Sequence, residues 1–177
     1  MQTMPNPYRG GAQTINVPAA TPSPSVNASA PAALLAQCPV AKVTPLVDAT
    51  GLAAKAGVAS IHVKDERTRM GLGSFKALGA AYVIAHDAAA IGGDDLSNVL
   101  SDRTYVTASA GNHGMSVAAG AKVFGAKAVI YLAAAVPESF ALRLRDMGAD
   151  VVRAGDNYAA SMEAAMRDGA ANGWTLL

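Results

Sequence analysis

Two short stretches carry residue types and spacings suited to chemistry. The first is Arg69-Met70-Gly71-Leu72-Gly73-Ser74-Phe75-Lys76-Ala77-Leu78-Gly79. Lys76 opens a run to Ala85 that is apolar on almost every face, and a helix apolar all round is a buried one. Burial disfavours an ammonium group. The pattern therefore predicts an amine able to act as nucleophile and Schiff-base former near neutral pH. The preceding glycines let the backbone pass close to a bound group. The second stretch is Thr107-Ala108-Ser109-Ala110-Gly111-Asn112-His113-Gly114. It reads as the turn from a strand into a helix, and N–H groups at a helix N-terminus bind anions. Ser109 and Asn112 are also ordinary capping types, a role compatible with ligand binding.

The elements that must position these stretches follow from periodicity. Leu52–Ala56 reads as a helix stopped by Gly57, and Ser60–Lys64 alternates as a strand. A lysine helix is expected from Phe75 to about Ala89, ended by Gly92-Gly93. From Arg103 the pattern is regular. Strands are expected at 104–108, 127–132, 150–153 and 174–177. Helices are expected at 112–124, from Pro137 to Met147, and from an Asp156 or Asn157 cap to Asn172. The buried stripes are read as Val117, Ala121 and Phe124, then Phe140, Leu144 and Met147, then Tyr158, Met162, Ala165 and Met166. Strands alternating with helices imply right-handed βαβ units and a parallel sheet, with ligands at the carboxyl ends of strands.

Bulk properties narrow the function classes. The chain has 177 residues, 51% of them hydrophobic, and a net charge of +1. That suits a packed α/β domain and gives no electrostatic reason to expect nucleic acid or an anionic membrane. Cys38 is the single cysteine, which leaves no internal disulfide framework or cysteine metal cluster. Asp65 and Glu66 have no third ligand spaced with them, so no metal is expected; His62 and His113 read as structural. No apolar run is long enough to span a bilayer and no secretory h-region opens the chain, so a cytoplasmic location is the expectation. A nucleotide-binding βαβ module is the alternative of a different class. The lysine stretch is not a Walker A loop, and the asparagine stretch lacks the Gly-x-Gly-x-x-Gly spacing. Residues 1–33, rich in Pro, Ala, Ser and Thr, read as an irregular arm, with Asn6-Pro7-Tyr8-Arg9-Gly10 a candidate docking segment.

Ser74-Phe75-Lys76 with Gly79, and Ser109-Ala110-Gly111-Asn112-His113-Gly114, resemble the two motifs of the fold-type-II enzymes that use pyridoxal 5'-phosphate (PLP). The longer match from Val63-Lys64-Asp65-Glu66-Arg67 through Gly79 is similar to diaminopropionate ammonia-lyase. The resemblance implies a tryptophan-synthase-β-like α/β fold, a parallel sheet with flanking helices. Residues 34–102 would be part of a large PLP domain carrying the lysine helix, entered through Thr44-Pro45-Leu46, and 103–177 a βαβ subdomain carrying the asparagine motif. It implies that Lys76 holds PLP and, once freed, takes the substrate α-proton. Ser109 and Gly111 would meet the substrate carboxylate, and Asn112 the cofactor's ring hydroxyl. The implied reaction converts a small amino acid, 2,3-diaminopropionate, to pyruvate and ammonia, with L-serine or L-threonine dehydration as the alternative. A homodimer is expected of the full-length enzyme. Two positions depart from the diaminopropionate pattern. Ala110 stands where an acid thought to serve the D-isomer is typical, and Met115 where arginine is usual. The family's phosphate-binding glycine loop normally comes later in the chain, and no such loop follows Gly114. The expectation is an N-terminal part of such an enzyme, catalytically incomplete or a non-catalytic fragment.

Overall fold

The computed structural model describes residues 25–177. The Asn6–Gly10 segment and most of the expected arm lie outside the described residues. Helix α1 (Ser29–Ala36) falls partly inside that arm, which was expected to be irregular as far as residue 33. Its Ala-Leu run has high helix propensity, and Pro31 sits in the first turn, where no intrahelical N–H is needed.

Strands β1 (Leu46–Asp48) and β2 (His62–Lys64) pair antiparallel around helix α2 (Thr50–Ala56). Gly57 closes α2 in the left-handed conformation at φ 65°. A short 3₁₀ turn at Phe75–Leu78 then leads through Gly79 into α3 (Ala80–Ile91). One continuous lysine helix does not form. Ser74 is extended and accepts a hydrogen bond from the Lys76 N–H at 3.2 Å, which starts a tight turn instead.

The second half alternates as the sequence predicts: β3 (Thr104–Ala108), α4 (Asn112–Val123), β4 (Lys127–Leu132), α5 (Glu138–Asp146), β5 (Asp150–Arg153), α6 (Tyr158–Asn172) and β6 (Thr175–Leu176). All four strands are parallel in the order β5-β4-β3-β6. The chain steps outward from β3 to β5, and α6 then carries it back to the far side of β3. The strand order therefore reverses at β3, the point in such sheets where ligands bind beyond the carboxyl ends.

Two cores lie on the two faces of this sheet. Ile84 and Ala88 of α3, Val117 and Ala121 of α4, and Leu144 of α5 pack with Tyr105, Ile130 and Leu132 on one face. Ala164 and Ala165 of α6 pack with Val106, Val129 and Tyr131 on the other. The helix faces differ from the periodic reading wherever small residues set the contact. In α6 the buried residues are Ser161, Ala164, Ala165 and Gly169, whereas Tyr158 and Met166 are exposed. A Cβ on Gly169 would lie 3.0 Å from Val106, so the helix turns its smallest side to the strand. In α5, Ala141 and Leu144 are buried and Phe140 is exposed. Among the described residues no helix is long and apolar enough to cross a membrane.

Candidate active site

The asparagine turn begins where β3 ends. The Ser109 N–H donates to the Tyr131 carbonyl at 3.2 Å, extending the β3–β4 pairing by one residue. The Gly111 N–H donates to Ser109 Oγ at 3.3 Å, curling the chain into the helix. Gly111 is the N-cap of α4, and no side chain caps it. Neither Ser109 nor Asn112 therefore caps α4 by the ordinary route. The first helical bond runs from the Met115 N–H to the Gly111 carbonyl at 3.2 Å. The N–H groups of Asn112, His113 and Gly114 head the helix, where no preceding turn supplies acceptors. Gly111 and Asn112 are exposed and Ser109 is half-buried. This is an anion seat built of backbone donors, with a hydroxyl and a carboxamide beside it.

Gly114 allows the turn to close over the helix. A Cβ there would lie 2.6 Å from the Ser109 carbonyl oxygen, 3.3 Å from Ile130 Cγ2 and 3.5 Å from Leu144 Cδ2. Reading the sequence alone missed this steric role. Its only signal was the glycine itself, one turn after the serine.

Lys76 lies at the surface, contrary to the expected burial. Ala77, 1% exposed, anchors its turn, while Phe75 is 62% exposed. The expectation failed because α3 buries one stripe, Ala80, Ile84 and Ala88, and the turn before it is 3₁₀ with a different periodicity. The Lys76 Nζ sits 5.6 Å from the Phe75 ring centroid, a cation–π contact. The lysine turn packs against α4, the helix headed by the asparagine turn. Both motifs thus share one helix as their support.

The residues before the lysine turn form a second constellation. Met70, Gly71 and Gly73 all take positive φ, at 50°, 72° and 72°. Met70 is the one described non-glycine residue in that region, and the two glycines adopt it without strain. Arg69, 7% exposed, holds the segment. Its guanidinium donates to both Glu66 oxygens at 2.6 and 2.8 Å, to Thr44 Oγ1 at 2.7 Å and to the Lys42 carbonyl at 3.0 Å. Thr44 Oγ1 donates to Glu66 Oε1 at 2.6 Å, and the Lys64 ammonium donates to the Thr44 carbonyl. Hydrogen bonds from Arg69 and then Thr44 hold the Glu66 carboxyl down at about 2. Glu66 and Arg69 are thus structural, fastening Thr44-Pro45-Leu46 to the glycine segment. Asp65 pairs with Arg67 instead, at 2.6 Å. Among the described residues no group of three His, Cys, Asp or Glu side chains is placed to hold a metal. His62 faces Asp48 across the β1–β2 pair at 4.0 Å.

The segment that follows β4 borders the same carboxyl edge. Arg153, at the end of β5, donates to the carbonyls of Ala133 at 3.1 Å and Val136 at 2.6 Å, and pairs with Glu138 at 2.7 Å. The Ala134 N–H donates to the Gly155 carbonyl at 2.8 Å. An apolar cavity of about 520 Å³ lies elsewhere, between α1, α3 and α4. Leu35, Cys38, Met70, Leu78, Tyr82 and Phe124 line it, while Lys76, Ser109 and Asn112 do not.

An exposed primary amine and a carboxamide suit the aldehyde and ring hydroxyl of PLP, and a helix head of backbone N–H groups suits an amino-acid carboxylate. Comparison with known proteins agrees. Residues 39–177 match the family of pyridoxal-phosphate dependent enzymes. The diaminopropionate ammonia-lyase of Salmonella typhimurium is 34% identical over 148 residues, covering 76% of this chain and 37% of that relative. The L-threonine ammonia-lyase of Thermotoga maritima is 39% identical over 107 residues, covering 60% of this chain and 24% of the relative. The crystal structure of holo diaminopropionate ammonia lyase from Escherichia coli superimposes with a TM-score of 0.74 at 30% identity, over 83% of this chain and 40% of that one. The chain thus spans well under half the length of these relatives.

Proposed function

This chain belongs to the family of pyridoxal-phosphate dependent enzymes, and from that premise we propose that its protein is an ammonia-lyase acting on a small amino acid, 2,3-diaminopropionate foremost. The observation that carries the proposal is the shared support: the Lys76 turn and the Ser109–Asn112 turn both rest on α4. Residues 34–102 would supply the lysine part of the cofactor domain and 103–177 the subdomain that seats the substrate.

When bound, PLP supplies an electron sink that stabilises negative charge developing at the substrate α-carbon. Lys76 would hold the cofactor, and Asn112 would donate its carboxamide N–H to the ring hydroxyl oxygen. The N–H groups heading α4 and the Ser109 hydroxyl would bind the substrate carboxylate, with Gly111 leaving room for it. That seat would orient the substrate by its carboxylate. The Lys76 amine would take the α-proton as general base. Loss of the β-amine and hydrolysis complete the overall change: 2,3-diaminopropionate and one water give pyruvate and two ammonia. Ala110 offers no acid to serve a D-isomer, which favours L-substrates; the 39% identity to an L-threonine ammonia-lyase supports L-serine or L-threonine dehydration as the second reading. We also propose a cytoplasmic, dimeric protein, in keeping with soluble amino-acid chemistry.

Incubating the purified chain with PLP, reducing with borohydride and mapping the peptides tests the cofactor role. Label on the Lys76 peptide is expected, and it would justify a lyase assay with diaminopropionate, serine and threonine. Equal labelling of wild type and Lys76→Ala would overturn the lysine assignment.

A further inference from the structure

The lysine turn runs directly into α3, so the place of α3 sets the place of Lys76. Across α4 the contact is close and apolar. A Cβ on Gly120 would lie 3.0 Å from Ile84 Cδ1 and 3.2 Å from Ala81 Cα, and Ala85 and Ala119 border the same seam. Apolar packing of this kind holds two helices together without a directional bond. One directional contact fixes α3 along its axis. The Tyr105 hydroxyl, on a side chain 0% exposed, donates to Asp87 Oδ2 at 2.8 Å. Arg103, from the residues just before β3, reaches the same oxygen at 3.4 Å. Among the described residues these are the only hydrogen bonds from α3 to another element of the sheet layer.

The two ends of this bond connect to the two halves of the site. Tyr105 is the second residue of β3, and Ser109 follows four residues on, about 13 Å along the strand. Asp87 lies in the second half of α3, and the helix runs back about 10 Å to Ala80 and the lysine turn. Burial and the nearby carboxylate push the Tyr105 hydroxyl up to about 12, so it remains a donor at any working pH.

We propose that Tyr105 and Asp87 are positioning residues for Lys76: their bond sets the register of α3 against β3 and so the reach of the lysine amine to the Ser109–Asn112 turn. This rests on the reading of Lys76 as the cofactor lysine, and the test separates the two. Spin labels at Phe75→Cys and Lys127→Cys, in a Cys38→Ser background, report the lysine turn against the sheet without any cofactor. Tyr105→Phe keeps the ring and removes the hydroxyl. It is expected to shift or broaden the distance distribution beyond that of the parent pair. The initial rate of borohydride-trapped PLP label at Lys76 is expected to fall about tenfold, since a misplacement on the order of 1 Å has large kinetic effects. Asp87→Leu should copy both effects. Asp87→Asn, whose carboxamide oxygen still accepts, should restore both, a rescue that general loss of stability would not give. Unchanged distances in Tyr105→Phe and Asp87→Leu overturn the proposal. A parent chain that takes no PLP label shows that residues 1–177 do not hold the cofactor by themselves, and the distances then decide the positioning role alone.

Discussion

Gly114→Ala places one methyl group at the tightest point of the candidate site. The new Cβ would sit 2.6 Å from the Ser109 carbonyl oxygen. Carbon–oxygen contacts normally lie at roughly 3.3–3.6 Å, so the gap must open by about 0.7–1 Å. The helix cannot supply that by retreating, because Ile130 Cγ2 and Leu144 Cδ2 stand 3.3 and 3.5 Å from the same position. Ser109 cannot supply it freely either, since its N–H is bonded to Tyr131 at 3.2 Å. Overpacking of this kind costs about 1–3 kcal/mol, and the upper half applies where backbone must move. Alanine returns at most about 1 kcal/mol of helix propensity relative to glycine. The net expectation is destabilisation by about 1–2 kcal/mol. Urea unfolding followed by circular dichroism measures it, with Gly51→Ala as the control. Gly51 lies in α2 with nothing within 4 Å of its Cβ position, so that change should be neutral or slightly stabilising. The displaced turn should also weaken amino-acid binding. Gly114→Ala matching Gly51→Ala in stability, with binding unchanged, would refute the steric argument.

Three further outcomes are expected. The folded-state carboxyl of Glu66 is depressed to about 2, so its contribution is present above its ordinary 4.5 and disappears as pH falls through that window. Acid titration of Glu66→Gln should show a shallower loss of stability between those values than wild type, with the residual slope shared by Asp65, held down by Arg67, and the lowered carboxyls of Asp95, Glu138 and Asp168. Gly155→Ala should be among the most damaging single changes, at about 2 kcal/mol or more: its φ is +73° and its Cβ would fall 2.4 Å from Ala160 Cβ. A melting curve indistinguishable from wild type would contradict that geometry. Lys76→Ala removes an exposed side chain and should leave stability within about 0.5 kcal/mol while abolishing PLP labelling, a split that thermal melts and peptide mapping read separately.

The elements after Arg103 were legible because strand and helix periods alternate cleanly between glycines, and the placing of Ser109–Asn112 at a strand end followed from that alternation. The faces of the helices were less legible. Periodicity weights large apolar residues, so Tyr158 and Met166 were read as core, whereas α6 meets the sheet through Ala165 and Gly169. The same bias made the Phe75–Ala85 run look buried all round. A 3₁₀ turn started by Ser74 rotates Lys76 outward, and no propensity scale registers one hydroxyl accepting one N–H. The Arg69–Glu66–Thr44 network was equally hidden. Glu66 and Arg69 are three apart in sequence, but Thr44 lies more than twenty residues away, and only the β1–β2 pairing brings it near.

The anchoring of the 133–137 segment couples order at the site to the outermost strand. Its carbonyls at Ala133 and Val136 are held by the Arg153 side chain, and its Ala134 N–H by Gly155. Every one of these partners belongs to β5 or the residues just beyond it, and β5 is an edge strand among the described residues. Edge strands open at lower free energy than central ones. Fraying of β5 would release these three hydrogen bonds together, because among the described residues none of them is made to β4 or β3, and leave the segment held by the packing of Ala133 and Val136. The rim of the carboxyl edge thus belongs to the same cooperative unit as the periphery of the sheet, while Ser109, bonded to the interior strand β4, belongs to the centre. One boundary of the candidate site can therefore loosen while the anion seat stays formed.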